Sequence, residues 1–458
     1  MTAITALTGI IALIVCIRRG PQAALLGVYV PVLFLLPFSY HWEYTLHLNF
    51  AETTIIPIAA IYFLQTRSWR LGLCDFAVVA LAAVSIYSEY VNFGYSLAQS
   101  LAIRQICNVV LPYALAKSML QGGEFDGKLA KMMVVLLTII AITSVYEFRM
   151  TFDIYKSLPA WFFPDQADTF ATRRYGFTRI AGPFPHPILA GMIFIVGYLF
   201  ARWLEWTGLW GGAKGFLGLS KIRLCEFALL AGSAMTLSRG PWIGGAIAAL
   251  GMWVFRSRNV RTLMLKAILI VLLIGPLWWG FSSYVAVSRS EAASATQETA
   301  AYRHELIEKY VDIVKLRPLL GWGFSDKPGG QAFPIIDGMA SIDNYYLLLA
   351  LQFGEIAFGL MVFILLWTPL RLIVFGLRRG FGNATGLLAV TLAGVYIAFA
   401  VSIGTAWLGG QDLPIFFLIA GWSEGILLGR PAAAAAVERT TRPARSVNRV
   451  PRFERVMV

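Results

Sequence analysis

Thirteen apolar runs of about the length that crosses a bilayer recur along this chain, near residues 2–17, 22–38, 51–65, 73–89, 98–118, 129–147, 184–203, 224–238, 241–255, 263–282, 344–368, 384–404 and 412–429. With 58% hydrophobic and 14% charged residues, they leave room for only a few polar connections. The expected fold class is all-α: a polytopic membrane helix bundle of about 13 transmembrane helices. The N-terminus has neither a basic n-region nor a small-residue cleavage site, so an uncleaved first helix is expected. Cys16, Cys74, Cys107 and Cys225 lie in or beside apolar segments without CxxC pairing, which speaks against disulfide or zinc frameworks.

Orientation follows from the basic residues. Arg18 and Arg19, Arg67 and Arg70, Lys117 to Lys131, Arg202 to Arg223, Arg256 to Lys266, Arg371 to Arg379 and the tail from Arg430 fall in alternate connections and hold 25 of the 38 Lys and Arg. That side is read as cytoplasmic, so the two long loops, 148–183 and 283–343, face outward. The chain thus divides into a membrane domain, residues 1–429, and a basic tail, 430–458, read as disordered and held near anionic lipid.

Unusual polar residues collect on the outward side. In the loop before the eleventh run, Leu306, Ile307, Tyr310, Val311 and Val314 recur at helical spacing opposite Glu305, Glu308, Asp312 and Lys315. An amphipathic helix is expected over 301–316, lying on the membrane surface or over a cavity, with Arg303 and His304 at the edge of its apolar face. The stretch TLSRGPW, 236–242, joins two runs with almost no loop, which fixes Arg239 at a hairpin end where a helix N-terminus also points. An anion site is the sharper reading, and an Arg snorkelling to headgroups the blander one.

In TRRYGFTRIAGPFPHPILAG, 172–191, Arg173, Arg174 and Arg179 precede a Pro-rich helix start carrying His186. A solvated basic loop is the alternative for the first two arginines, whereas Arg179 lies closest to the membrane. Arg104, with Gln105 and Asn108, sits inside an apolar run, where an Arg costs about 2.5–3.5 kcal/mol on insertion scales. It should face a polar cavity. In SIDNYYLLLALQFG, Asp343 begins a run and reads either as a helix cap or as a general base that Asn344 orients. Four arginines and three helix N-termini around one carboxylate would suit a pyrophosphate leaving group and an incoming hydroxyl. No DxD-type pair for a metal-bound nucleotide sugar is apparent outside.

Arg179 with GPFPHPILAG, LSRGPWIG, and RHELIEKYVDIVKLRPLLGWGF followed by DNYYLLLALQFGEIAFG together resemble the O-antigen ligase and polymerase superfamily of bacterial envelope glycosyltransferases. The resemblance covers roughly residues 175–370. It implies an inner-membrane enzyme whose large outward loop, with its amphipathic helix, is periplasmic, and an inverting, metal-independent transfer from an undecaprenyl-pyrophosphate-linked oligosaccharide without a cofactor. By position, Arg239 and Arg179 would hold the pyrophosphate, with Arg303 assisting. Asp343 would be the base; Arg104, His186, His304 and Asn344 complete the expected binding set. Ligases look to have His where this chain has Asp343, which favours a polymerase of exopolysaccharide or O-antigen repeat units. A ligase to lipid A-core or protein is the second reading, and a transporter or flippase of lipid-linked sugars the third. A transporter should carry ionisable groups at the bilayer midplane, whereas here they gather at one face. Expected partners are membrane lipids and chain-length regulator or export proteins, with no nucleic acid.

Overall fold

The helices were traced in a computed structural model that describes residues 4–42, 47–66, 70–121, 123–166, 171–211, 219–257, 261–266, 268–269, 272, 295–324, 332–337, 339, 341–380 and 383–429. Through the first long loop they are α1 Thr5–Arg19, α2 Pro21–Leu35, α3 Phe50–Gln65, α4 Leu73–Phe93, α5 (95–119), α6 Glu124–Met150 and α7 Ile154–Ala160. Then follow α8 Pro187–Thr207, α9 Lys221–Met235, α10 Arg239–Phe255, α11 Ala295–Leu316, α12 Tyr345–Arg379, α13 Ala384–Ile403 and α14 Asp412–Leu428. Twelve of the expected runs coincide with helices; the tenth, 263–282, and the tail, 430–458, lie largely or wholly outside the described residues.

By length and apolarity, five helices can cross a membrane: α4, α6, α8, α12 and α13. The expectation of about thirteen crossings meets that measure only there. Two of the other runs are broken by single π turns, Leu25–Tyr29 in α2 and Ile106–Val110 in α5, which shorten their regular helix. The centre of the bundle is α8 and α13, whose apolar windows are 83% and 78% buried, against 39% for α4 and α12. Outer helices turn large apolar side chains outward, among them Leu64, Ile17 and Phe76, as a face toward hydrocarbon requires.

The two ends of the bundle differ. One carries charge pairs tying helices together: Lys117 with Asp75, Arg371 with Glu424 at 2.9 Å, and Arg202 with Glu226 at 3.2 Å. The other carries the described parts of the connections 36–49, 151–186, 236–238, 317–344 and 404–411. There a small feature departs from the all-helical expectation: Arg173–Arg174 and Phe177–Thr178 pair antiparallel, Arg173 opposite Thr178. Tyr175 and Gly176 both take positive φ, 55° and 79°, the backbone that closes a two-residue hairpin.

What fixes α11 over this end is a splice into α12. At Gly354 the helix breaks, with φ 81° and ψ 177°, a conformation essentially confined to glycine. Into the break docks the loop after α11: Trp322 N–H donates to Leu351 O at 2.9 Å, Gly323 N–H to Gln352 O at 2.7 Å, and Glu355 N–H to Pro318 O at 2.6 Å. Ser88 on α4 donates to the carbonyls of Leu320 and Gln352. A Cβ on Gly354 would lie 2.2 Å from Leu319 O, whereas one on Gly359, a turn on, meets nothing within 4 Å. Gly354→Ala should therefore remove most folded protein from the membrane, a loss of ~3 kcal/mol or more from strain and backbone clash combined. Gly359→Ala should leave its level unchanged or raised. Immunoblots of washed membranes read both.

Candidate functional site

Arg179 is the inner member of the site. It leaves the hairpin, where its N–H bonds Thr172 O at 2.9 Å, and runs beneath the α9–α10 turn. Its Nε donates to Thr236 O at 3.0 Å and its Nη2 to Ser238 Oγ at 2.8 Å. Ser238 precedes α10 without capping it; its hydroxyl serves the turn and Arg179 instead. Arg174 Nη1 donates to Leu237 O at 2.8 Å, in a turn strained by the positive φ, 51°, of Leu237. Arg239, exposed at the rim, bonds the Tyr175 hydroxyl at 2.6 Å. The hairpin and the hairpin-like α9–α10 turn are thus stitched together by three guanidinium groups.

From the far side come Arg303 and Asp343. Leu306, Tyr310 and Val314 bury one face of α11 against Leu347 and Leu351 of α12, which turns Arg303 inward. Its Nη2 donates to Thr405 O at 3.1 Å, and its buried Nε has no hydrogen-bond partner among the described residues. Asn344, not Asp343, caps α12, its Oδ1 accepting from Tyr346 N at 3.0 Å and Leu347 N at 3.3 Å. Asp343 is left free of that duty and accepts the Ser341 hydroxyl at 2.8 Å.

These groups feel one another. Burial pulls the Arg179 guanidinium down to about 10, helped by Arg174 and Arg303 and opposed by Asp343. It remains a cation at neutral pH. Arg303 is lowered by burial and by Arg174, again opposed by Asp343. His186 is pulled down to about 4, first by burial and then by Arg179, so its ring is neutral. Its Nδ1 accepts Ile188 N at 3.2 Å as the cap of α8, which assigns the proton to Nε2. A cavity of about 250 Å³ opens beside Arg179 and His186, with Glu147, Asp153, Lys156 and Thr172 among its walls.

Of the expected set, the fold therefore brings Arg179, His186, Arg303 and Asp343 into one electrostatic basin, with Arg239 at its edge and Asn344 as the cap beside it. Arg104 stands instead beside Glu52, which also accepts Asn108 Nδ2 at 2.7 Å within the capping box that starts α3. His304 is exposed and faces Glu308 at 3.5 Å.

Two features of the site went unread in the sequence. The connection 404–411, GTAWLGGQ, is its floor: Thr405 meets Arg303 and packs on Gly240, Ala406 O accepts Tyr345 N at 3.1 Å, and Gln411 Nε2 bonds Pro183 O at 2.5 Å. Its only signal is a cluster of small residues between two runs. Glu147 closes the other side by accepting Ala181 N and Gly182 N, both at 2.9 Å. Its signal is an acid within an apolar run.

Among the described residues no group of His, Cys, Asp and Glu could hold a metal ion. A helical bundle that gathers guanidinium groups and a carboxylate at one end has the chemistry to meet an anionic ligand there. Residues 225–362 match the family model described as O-antigen ligase, so that part of the chain is similar to this family. The match takes in Arg239, Arg303 and Asp343, with Arg179 and His186 preceding it. No curated protein matches the chain.

Proposed function

We propose that the chain is a polymerase of bacterial surface polysaccharide, moving glycan from an undecaprenyl-pyrophosphate-linked donor to a lipid-linked repeat unit at the periplasmic face of the inner membrane. The observation that carries this reading is Asp343, released from capping by Asn344 and near enough to Arg179 and Arg303 for its charge to favour both cations. Asp343 takes the proton of the acceptor hydroxyl. The oxygen attacks the anomeric carbon from the face opposite the diphosphate, and the bond from that carbon to the diphosphate oxygen breaks. Arg179 and Arg303, with Arg239 at the rim, receive the negative charge on the departing diphosphate. One displacement inverts the anomeric centre. With the base and the guanidinium groups supplying proton transfer and charge stabilisation, no metal step is invoked.

The family description itself favours a second reading, ligation of finished chains to lipid A-core or protein. The lipid-linked products of a strain lacking the gene separate the two. Single repeat units on lipid are expected for a lost polymerase; long unattached chains would mean a lost ligase and overturn the proposal.

A further inference from the structure

α7 is built inside out. In Ile154–Ala160 and the Trp161 that ends it, the one charged side chain is Lys156, which is 7% exposed and faces inward, ion-paired with Asp153 at 3.8 Å in the wall of the cavity beside Arg179. Leu158 and Trp161 point the other way, 52% and 80% exposed. At about 100° per residue, Ile154, Leu158 and Trp161 fall within about 60° of one another and Lys156 lies roughly opposite. A helix that screens a cavity from water turns its apolar stripe in and its ammonium out. This one has the two reversed, and Phe162, next in the chain, adds a further exposed ring.

The apolar face does not end with the helix. Ile139, Ile142, Tyr146 and Met150 make an exposed stripe along α6, one of the helices long and apolar enough to cross a membrane. The Tyr146 ring meets Phe152 edge-on at 6.0 Å, and Phe152 is half exposed while also lining the cavity. The hydrocarbon face of a span thus runs on, through Phe152, to the start of α7. Arg149, exposed in the last turn of α6, marks the level at which headgroups begin. A surface bathed in water rarely carries such a patch, and Trp with Leu on an uncharged helix face is what an interfacial helix buries.

We propose that α7 is an interfacial helix, with Leu158, Trp161 and Phe162 among the lipids of the leaflet on that side while Lys156, on its opposite face, walls the cavity. The partner is the bilayer, not a second protein. Such placement holds the cavity and Arg179 at headgroup depth, the level at which the phosphates of any lipid-borne substrate lie. The proposal stands or falls independently of which glycan transfer the site performs.

A nitroxide on Trp161→Cys or Leu158→Cys tests this in the full chain, in nanodiscs of phosphatidylethanolamine and phosphatidylglycerol. Cys225→Ala removes the half-buried native thiol; Cys16, Cys74 and Cys107 are buried. Power-saturation EPR compares collisions with oxygen, which concentrates in hydrocarbon, against those with a water-soluble nickel chelate. Both labels should favour oxygen several-fold and read a depth of ~5–10 Å into the boundary of headgroups and acyl chains. A label on Asp165→Cys, exposed just beyond α7, should favour the chelate. If the Trp161→Cys and Leu158→Cys labels favour the chelate as well, the face is in water and the proposal is overturned. Labels shielded from both reagents would mean that protein, a second copy included, covers the face, and overturn it equally. Two positions keep the result readable if one variant fails to fold.

Discussion

Asp343→Asn is expected to abolish chain elongation at unchanged protein level. The change keeps the shape and an acceptor Oδ1 for the Ser341 hydroxyl, and the cap of α12 is untouched because Asn344 provides it. What it removes is the ability to take a proton, worth ~10²–10⁴ in rate where a carboxylate acts as general base. In the deletion strain complemented with this variant, gels of surface polysaccharide should show the first rung and no ladder. A full ladder would reduce Asp343 to an electrostatic partner of Arg303. Asp343→Glu keeps the base but moves it by a methylene, and should restore short chains only.

The second large effect is at Arg179, where charge and geometry can be separated. Arg179→Lys retains a cation but loses the planar fork that reaches Thr236 O and Ser238 Oγ together. Elongation should fall by ~10²–10³, the scale for losing one donor to a developing anion, while membrane level holds. Arg179→Ala adds a structural cost of ~1–3 kcal/mol, because the buried Ser238 side chain and the Thr236 carbonyl each lose a charge-assisted hydrogen bond and keep only the one between them. Lower protein level is therefore expected for Ala and not for Lys. If both variants elongate normally once corrected for level, Arg179 is a brace for the α9–α10 turn and no part of the grip.

Much of this arrangement was legible in the residues, and the parts that were not share a cause. Apolar runs gave the helices because burial in hydrocarbon is a local property of a segment, read from twenty residues at a time. The helical spacing of Leu306, Tyr310 and Val314 likewise pointed to α11 and to Arg303 at its edge. Meeting is not local. Arg104 and Arg179 are each a costly cation near an apolar run, and nothing in either stretch says that the first has Glu52 beside it. His304 and Arg303 are adjacent in sequence, yet a 100° step around the helix puts one in solvent and the other inside. The 404–411 floor has no charged residue to draw attention, and works through the backbone carbonyls of Thr405 and Ala406 and the neutral amide of Gln411. Asp343 and Asn344 were both fit to cap α12; only the backbone at Asn344 decides between them.

The splice of the 318–324 loop into α12 has a bearing on how such an enzyme diversifies. Its seam is made of peptide groups, with Gly321, Gly323 and Gly354 supplying the fit. Peptide groups are common to all residues, so apart from Trp322 and Phe324, which pack on the cores, the other side chains along that loop can drift without loosening the hold on Arg303 and Asp343. On the polymerase reading, selectivity for new sugars can then evolve elsewhere in the fold while the reacting groups keep their register.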